Sequence, residues 1–407
     1  MLRGKDLKIK LAIVDNAHVI KTSSGEYYSK TVYSYDFFKR YLDSFESVRF
    51  ITKVKVLKHD DIDFKSYLRV DGPKVEIFEL PWYQGIKGLL KNILKIRKIV
   101  RNSLEGCDGY LLRLAQVECY LFDLFAKKNK KKYIVELVND PNLFMDMNYL
   151  FRRINVIYTR KIIKKAIGVS YVTKDYLQSK YPSLAHKTNF EKGFTNYYST
   201  IDLYDDQILS AKTDFFEQDI FRIVHVSNSI ESDIKGHSTV IKVANNLKQL
   251  NIPFKVTFIG SGTMVPHYKA LIQKLNLTNE IEFYGTIVHK NELLTKLREN
   301  DLLLLPTRLE GLPRVIIESM AVGLPSISTP IAGIPELLDK EFMYKYNDYN
   351  GITNKIVELY SSKDKMVLIS KRNIEKVKEY EYSKLILRRK SFYKNFRDYL
   401  EKQRIEN

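Results

Sequence analysis

Two carboxylates, Glu310 and Glu318, stand eight residues apart in Pro306–Pro325, PTRLEGLPRVIIESMAVGLP, directly after the apolar run Leu302–Leu305. Pro313 needs no amide donor and its φ is already helical, which predicts a helix beginning there. Glu310 then lies in the preceding loop and Glu318 in the second turn, roughly 7–8 Å along the helix axis from Pro313. The unpaired amides in the stretch Gly311, Leu312, Pro313, Arg314 face out of the helix start, where the dipole favours an anion. Gly311 has no side chain to keep that anion away. Carboxylates accept hydrogen bonds from vicinal hydroxyls, which a sugar and a ribose both present. The pattern fits a nucleoside-diphosphate sugar bracketed by two glutamates. The plain alternative is an acidic helix start with one solvent-facing Glu.

A second constellation supports the first. After the apolar run Phe221–Val226 comes the loop SNSIESDIKG, which carries Asn228, Lys235 and Gly236. Such a loop sits at a strand's carboxyl end, where open α/β sheets bind ligands. Lys235 offers a point charge to a diphosphate. Gly260, in Ile259-Gly-Ser-Gly-Thr263, and the loop Gly285-Thr286-Ile287-Val288 add two further turns on the same edge. Metal chemistry is not expected: Asp61-Ile-Asp63 follows no nucleotide-binding strand, and the seven histidines show no HxxxH or HExxH spacing. Cys107 and Cys119 are too far apart for a CxxC site and fit a reducing cytosol.

The elements that must position these residues read as two β/α series. The first has apolar strands at 8–14, 48–54, 75–80, 109–113, 133–138 and 168–173, with helical patterns near 33–42, 89–104 and 115–129. A polar stretch from Thr195 to Asp219 reads as linker. The second has strands at 221–226, 254–260, 281–284, 301–305 and 325–328, with helices at 238–250, 268–275 and 290–299 and after Pro313. Alternation of this kind predicts doubly wound parallel sheets. The expected division is 1–197, 198–382, and a last helix over 383–407 returning to the first domain. A length of 407 residues fits two domains.

The order Ile259-Gly-x-Gly, Phe283-Tyr-Gly285, Leu304-Leu-Pro306, Glu310-Gly-Leu-Pro-Arg-Val-Ile-Ile-Glu318, Gly323-Leu-Pro325 and Gly333-Ile-Pro-Glu336 closely resembles glycosyltransferase family 4 over about residues 220–340. The resemblance implies the GT-B fold and an E-x7-E motif. It also implies retaining, metal-independent transfer from a nucleotide-activated sugar, most simply a UDP-sugar, with no cofactor. It gives Glu310 the donor sugar's hydroxyls, Glu318 the ribose, Lys235 and the amides after Glu310 the diphosphate, and the Thr286, Ile287, Val288 loop the base. Gly25, in the loop after the first strand, resembles the glycine that lets the first domain approach the donor phosphate. Two positions depart from the family. Asn228 stands where an arginine is common, which shifts charge onto Lys235 and Arg314. Asn139 stands where a histidine often precedes an acceptor-side aspartate, so Asp140 either orients an acceptor hydroxyl or caps the next turn.

The net charge of +19 is uneven: the first 200 positions hold 37 basic and 21 acidic residues. Such a field attracts anionic lipid, nucleic acid or a phosphorylated substrate. Residues 89–104 and 151–165 are basic and apolar together, as a helix on a sheet or on a membrane would be. No stretch reaches the 18 or so apolar residues of a spanning helix. The expectation is a cytoplasmic hexosyltransferase on the inner face of the cell membrane. It would act on a glycan or polyprenyl-diphosphate-linked acceptor in polysaccharide or capsule synthesis, and nucleic acid is not expected as a partner. A nucleotide-sugar epimerase or hydrolase of the same fold, or a non-enzymatic basic binding protein, would be the alternatives.

Overall fold

A computed structural model describes residues 8–30, 33–58, 64, 67–114, 117–143, 149–184, 193–216 and 219–406. Asp61 and Asp63 lie outside the described residues. The first sheet contains β1 (Lys10–Val14), β2 (Val19–Lys21), β3 (Tyr27–Ser29), β4 (Ser47–Val56), β5 (Leu68–Arg69), β6 (Val75–Pro81), β7 (Gly109–Leu114), β8 (Lys132–Leu137), β9 (Gly168–Tyr171) and β10 (Phe194–Tyr197). Its order is β10-β9-β8-β7-β1-β4-β2-β3-β5, with β6 also on β4. Every pairing is parallel except β2 with β3 and β3 with β5. The helices of this half are α1 (Tyr35–Leu42), α2 (Gly85–Asn102), α3 (Val117–Ala126), α4 (Tyr149–Lys165) and α5 (Tyr176–Lys180).

The second sheet runs β13-β12-β11-β14-β15, all parallel, from β11 (Phe221–Ser229), β12 (Phe254–Ser261), β13 (Ile281–Gly285), β14 (Leu302–Leu305) and β15 (Ser326–Ser328). Around it lie α6 (His237–Gln249), α7 (Val265–Lys274), α8 (Lys290–Arg298), α9 (Arg314–Ala321), α10 (Ile334–Leu337), α11 (Tyr349–Tyr360) and α12 (Lys363–Val377), and α13 (Tyr382–Glu406) ends the chain. β14 is four buried leucines, as a parallel strand covered on both faces requires. The strand order reverses at β11, between β12 and β14, so the loops after β11 and β14 open onto one crevice.

Three sequence expectations change. The polar segment beginning at Thr195 is not all linker, because Phe194–Tyr197 pairs with β9 as the edge strand β10. Its FTNY sequence has no apolar run, and its strand character comes from the backbone partner β9 supplies. The helix after Glu310 begins at Arg314, with Pro313 extended at its N-cap (φ −69°, ψ 114°) and accepting from the Ile316 amide at 3.2 Å. The helical segments 349–360 and 363–377, which the sequence reading passed over, pack on α6 and α9.

α13 returns to the first sheet. Its Phe396 and Leu400 side chains lie against Gly109, where a Cβ would sit 2.8 Å from the Phe396 ring. Its Tyr393 hydroxyl donates to the buried Glu136 carboxylate at 2.5 Å. Glu136 also accepts from Tyr198 at 3.1 Å and Tyr41 at 3.2 Å, and pairs with Arg113 at 2.9 Å. Arg113 reaches Asp15 as well, at 2.8 Å. Each of these three buried charges thus has an opposite partner, the condition for such groups to be tolerated in a core.

Candidate functional site

A cavity of about 560 Å³ lies between the two sheets. From the second half its walls are the β11 loop (Ser227, Asn228, Ser229), Lys235, the β13–α8 loop (Thr286 to Lys290), and Glu310, Pro313, Arg314 and Glu318 around the start of α9. From the first half, Lys30, the α1 N-cap Ser34 and the α1 residues Asp36, Phe37 and Arg40 face it. A larger hollow of about 950 Å³ lies at the opposite, amino-terminal edge of the second sheet, among Arg222, Lys255, Glu280 and Asn300. We place the site in the smaller one, because strand carboxyl ends and a helix N-terminus converge there.

Lys235 Nζ meets Glu310 Oε1 at 2.5 Å. Two features set this geometry. Gly236 follows in a left-handed conformation (φ 83°), and a Cβ there would sit 2.3 Å from the Pro306 carbonyl oxygen, so only glycine lets the β11 loop close on the strand β14 exit. Asp233 then anchors α6 by accepting from the Ser238 amide at 2.9 Å and from the Tyr268 hydroxyl at 3.0 Å. Glu318 is 9% exposed on the cavity wall, and no described residue donates a hydrogen bond to its carboxylate. Its acceptor positions are open to hydroxyl groups. Lys290 stands beside it: burial holds the ammonium pKa below the usual lysine range, opposed by the charges of Glu318 and Asp202 and assisted by Arg314 and Arg40.

Asp202 ties the site to the domain crossing. Its carboxylate pairs with Arg40 on α1 and, at 2.9 Å, with Arg389 on α13, while its carbonyl accepts from Lys290. The three cations hold its pKa low against burial. Lys30, Ser34, Arg40, Asp202 and Lys290 escaped the sequence reading. Lys290 was within reach, since it opens the helix directly after the Val288 loop. Arg40 and Asp202 gave no signal, because their role depends on how the halves pack.

Of the expected residues, Glu310, Glu318, Lys235, Asn228, Pro313, Arg314, Thr286, Ile287 and Val288 all line this cavity. Gly311 and Leu312 do not. Gly311 lies against the first half, where a Cβ would sit 1.9 Å from the Val138 carbonyl oxygen, and Leu312 is buried. Gly260 is a packing residue: its φ is 136°, and a Cβ would sit 1.7 Å from the Ser227 carbonyl oxygen. Gly25 is the tip of the β2–β3 hairpin, its amide donating to the Thr22 carbonyl at 3.1 Å, and no other atom approaches where its Cβ would be. The turn conformation (φ 91°) favours glycine here, and Gly25 is not among the residues lining the cavity.

Asp140 follows the turn-capping one of its two readings. It is fully buried and accepts from Tyr181 at 2.5 Å, Tyr176 at 2.6 Å, Lys180 at 2.7 Å and the Asn142 amide at 2.8 Å. Burial pushes its pKa up, but Lys180, the two tyrosines and the amide outweigh that and hold it below the usual aspartate value. With its lone pairs occupied, Asp140 braces α5 and does not present a carboxylate to the cavity.

Residues 211–378 match the family of Glycosyl transferases group 1. The matched segment holds β11 to β15 and every cavity residue of the second half. Protein CapJ of Staphylococcus aureus is 28% identical over 363 residues, 87% of this chain and 88% of that protein. The amylovoran biosynthesis glycosyltransferase AmsK of Erwinia amylovora is 34% identical over 124 residues, 29% of this chain and 30% of its own. Sucrose-phosphate synthase from Thermosynechococcus elongatus superposes with a TM-score of 0.71 at 14% identity, over 95% of this chain and 99% of that one. Anabaena HepE in complex with UDP and glucose superposes with a TM-score of 0.63 at 15% identity, over 93% and 97%. The chain has the GT-B fold.

Proposed function

We propose that this protein is a retaining, metal-independent glycosyltransferase of family 4. It moves a hexose or N-acetylhexosamine from a nucleoside-diphosphate donor to a glycan or polyprenyl-diphosphate-linked hydroxyl. The observation that carries the reading is the convergence of Lys235, Glu310, Glu318 and the start of α9 on one cavity between two Rossmann-like halves. The match to Glycosyl transferases group 1 over the same residues supports it. The UDP and glucose bound to HepE make UDP-glucose the first donor to try, and the amylovoran role of AmsK favours a polysaccharide precursor as acceptor.

In this mechanism the diphosphate lies at the α9 N-terminus, with Lys235 exchanging Glu310 for a phosphate oxygen and Arg314 beside it. Glu318 accepts from the ribose hydroxyls, Thr286 to Val288 face the base, and Glu310, released from Lys235, accepts from the sugar hydroxyls. The acceptor oxygen attacks C1 on the face the diphosphate leaves, and a leaving phosphate oxygen takes the acceptor proton. The dominant protein contribution is stabilisation of the departing diphosphate by preorganised positive charge and amide dipoles.

A thermal-shift panel of UDP-, GDP- and ADP-sugars tests the reading. One base class should raise Tm in the wild type, with the shift lost in Lys235→Ala. No shift from any class would favour a binding protein without donor chemistry.

A further inference from the structure

The cavity leaves unexplained the outer surface of the first half. α2, α3 and α4 cover one face of the first sheet, with α3 packed between the other two. A helix on a sheet needs one apolar stripe, and these supply it inward through Ile96, Val100, Ile162 and Ile163, all buried. A second set points the other way: Leu90 (65% exposed), Leu94 (77%), Tyr149 (62%), Phe151 (48%), Ile154 (39%) and Ile157 (59%). Isolated exposed apolar residues are ordinary, whereas a group of them on the helices of one layer marks an interaction surface.

The charges that α2 and α4 themselves contribute have one sign. α2 contains Lys87, Lys91, Lys95, Arg97, Lys98 and Arg101, α4 contains Arg152, Arg153, Arg160, Lys161, Lys164 and Lys165, and neither helix has an acidic residue. Asp123 of α3, facing Lys127, Lys161 and Lys165, is buried beneath them. The Tyr149 ring has Arg152 and Arg153 within 5.6 and 5.7 Å of its centroid. Exposed leucine, isoleucine and aromatic side chains among lysines and arginines are the composition of a helix seated at the headgroup level of an anionic bilayer.

We infer that the outer face of α2 and α4 docks on an anionic lipid surface. α4 packs on the turn Pro141–Leu143, which follows Val138, and the Val138 carbonyl is the contact of Gly311. These contacts run from the lipid face to the loop after Glu310, the side from which a lipid-linked acceptor would enter. The docking stands on the surface residues alone, and only the acceptor's route rests on the proposed transfer activity.

Flotation of the full chain with vesicles of phosphatidylglycerol and phosphatidylethanolamine tests it against vesicles of phosphatidylcholine alone. The wild type should float with the anionic vesicles only, and less so at high salt. Ile154→Ser/Ile157→Ser and Lys91→Glu/Lys95→Glu should each cut the bound fraction at least ten-fold, with the wild-type Tm and the wild-type response to sugar nucleotides retained. No flotation by the wild type, equal flotation by either variant, or a dimer in light scattering that Ile154→Ser/Ile157→Ser dissociates without any vesicle binding would each overturn the inference. A missing sugar-nucleotide shift alongside normal flotation would count against the transferase reading alone.

Discussion

At the scale of single residues, the Lys235–Glu310 pair is the most informative contact. The contact neutralises two groups that a donor would separate, so each substitution should act on a different part of the ligand. Lys235→Ala should weaken binding of UDP and UDP-glucose alike, by about 1.5–3 kcal/mol, the range of a hydrogen bond to a charged group. Glu310→Ala should leave UDP binding intact and lower kcat/KM by about 100-fold, in line with loss of one preorganised polar group at the reacting centre. Calorimetry with UDP and initial rates with UDP-glucose separate the two. Asp140 predicts the opposite behaviour. Because its folded pKa lies below the unfolded value, its contribution to stability is present above the unfolded pKa near 4 and is lost as pH falls through the folded value. Asp140→Asn should cost about 2 kcal/mol at pH 7 in denaturant unfolding, less at pH 3, and leave sugar-nucleotide binding unchanged.

At the scale of elements, the second sheet was largely legible from its apolar runs, since β11, β12, β14 and β15 are mostly buried and β12 and β13 run into glycine. The start of α9 was legible to within one residue, because proline and an unpaired amide run define it locally. Gly260 and Gly25 show where that reading stops. A glycine after a strand looks the same whether a phosphate approaches it, another backbone does, or a turn needs its positive φ, and only the packing separates these cases. The base of α6 gives an element-level prediction that spacing did not suggest. His225 and His237 are buried with ring centroids 4.4 Å apart, and burial lowers both pKa values, that of His237 to about 4. A folded histidine pKa below the unfolded 6.5 means that the unfolded chain binds more protons between about pH 4 and 6.5. Stability should therefore be full above pH 6.5 and fall as pH drops toward 4, by about 3 kcal/mol from His237. His237→Phe should flatten that acid limb in urea melts taken from pH 7 to 4.5, and an unchanged slope would show that the histidines are not its source.

At the scale of the whole molecule, function depends on how two sheets meet, and no local pattern describes that. The Glu336 carboxylate accepts from the amides of Lys174, Asp175 and Tyr176 at 2.6, 3.1 and 2.9 Å, across to the first half. The Gly333 amide donates to the Gly311 carbonyl at 2.8 Å, which joins this latch to the loop after Glu310. Glu336 stood in a motif read from the sequence, yet its partners lie some 160 residues away and could not be named from it. Glu336→Ala should open the cleft, seen as a larger radius of gyration in solution scattering, and should lower kcat/KM about ten-fold while UDP still binds the second half, since coupling energies between distant groups run to about 1–3 kcal/mol. Arg40 and Asp202 belong to the same scale, where α1, the crossing segment and α13 share one carboxylate.

The central claim is that the crevice at α9 holds a sugar nucleotide by its diphosphate and ribose. Calorimetric titration of UDP-, GDP- and ADP-sugars into the wild type and into Lys235→Ala and Glu318→Ala tests it most directly. One base class should bind the wild type and bind each variant at least ten-fold more weakly, with all three proteins melting as folded domains. Binding of equal strength in wild type and both variants, or no binding of any class to the wild type, would contradict the account.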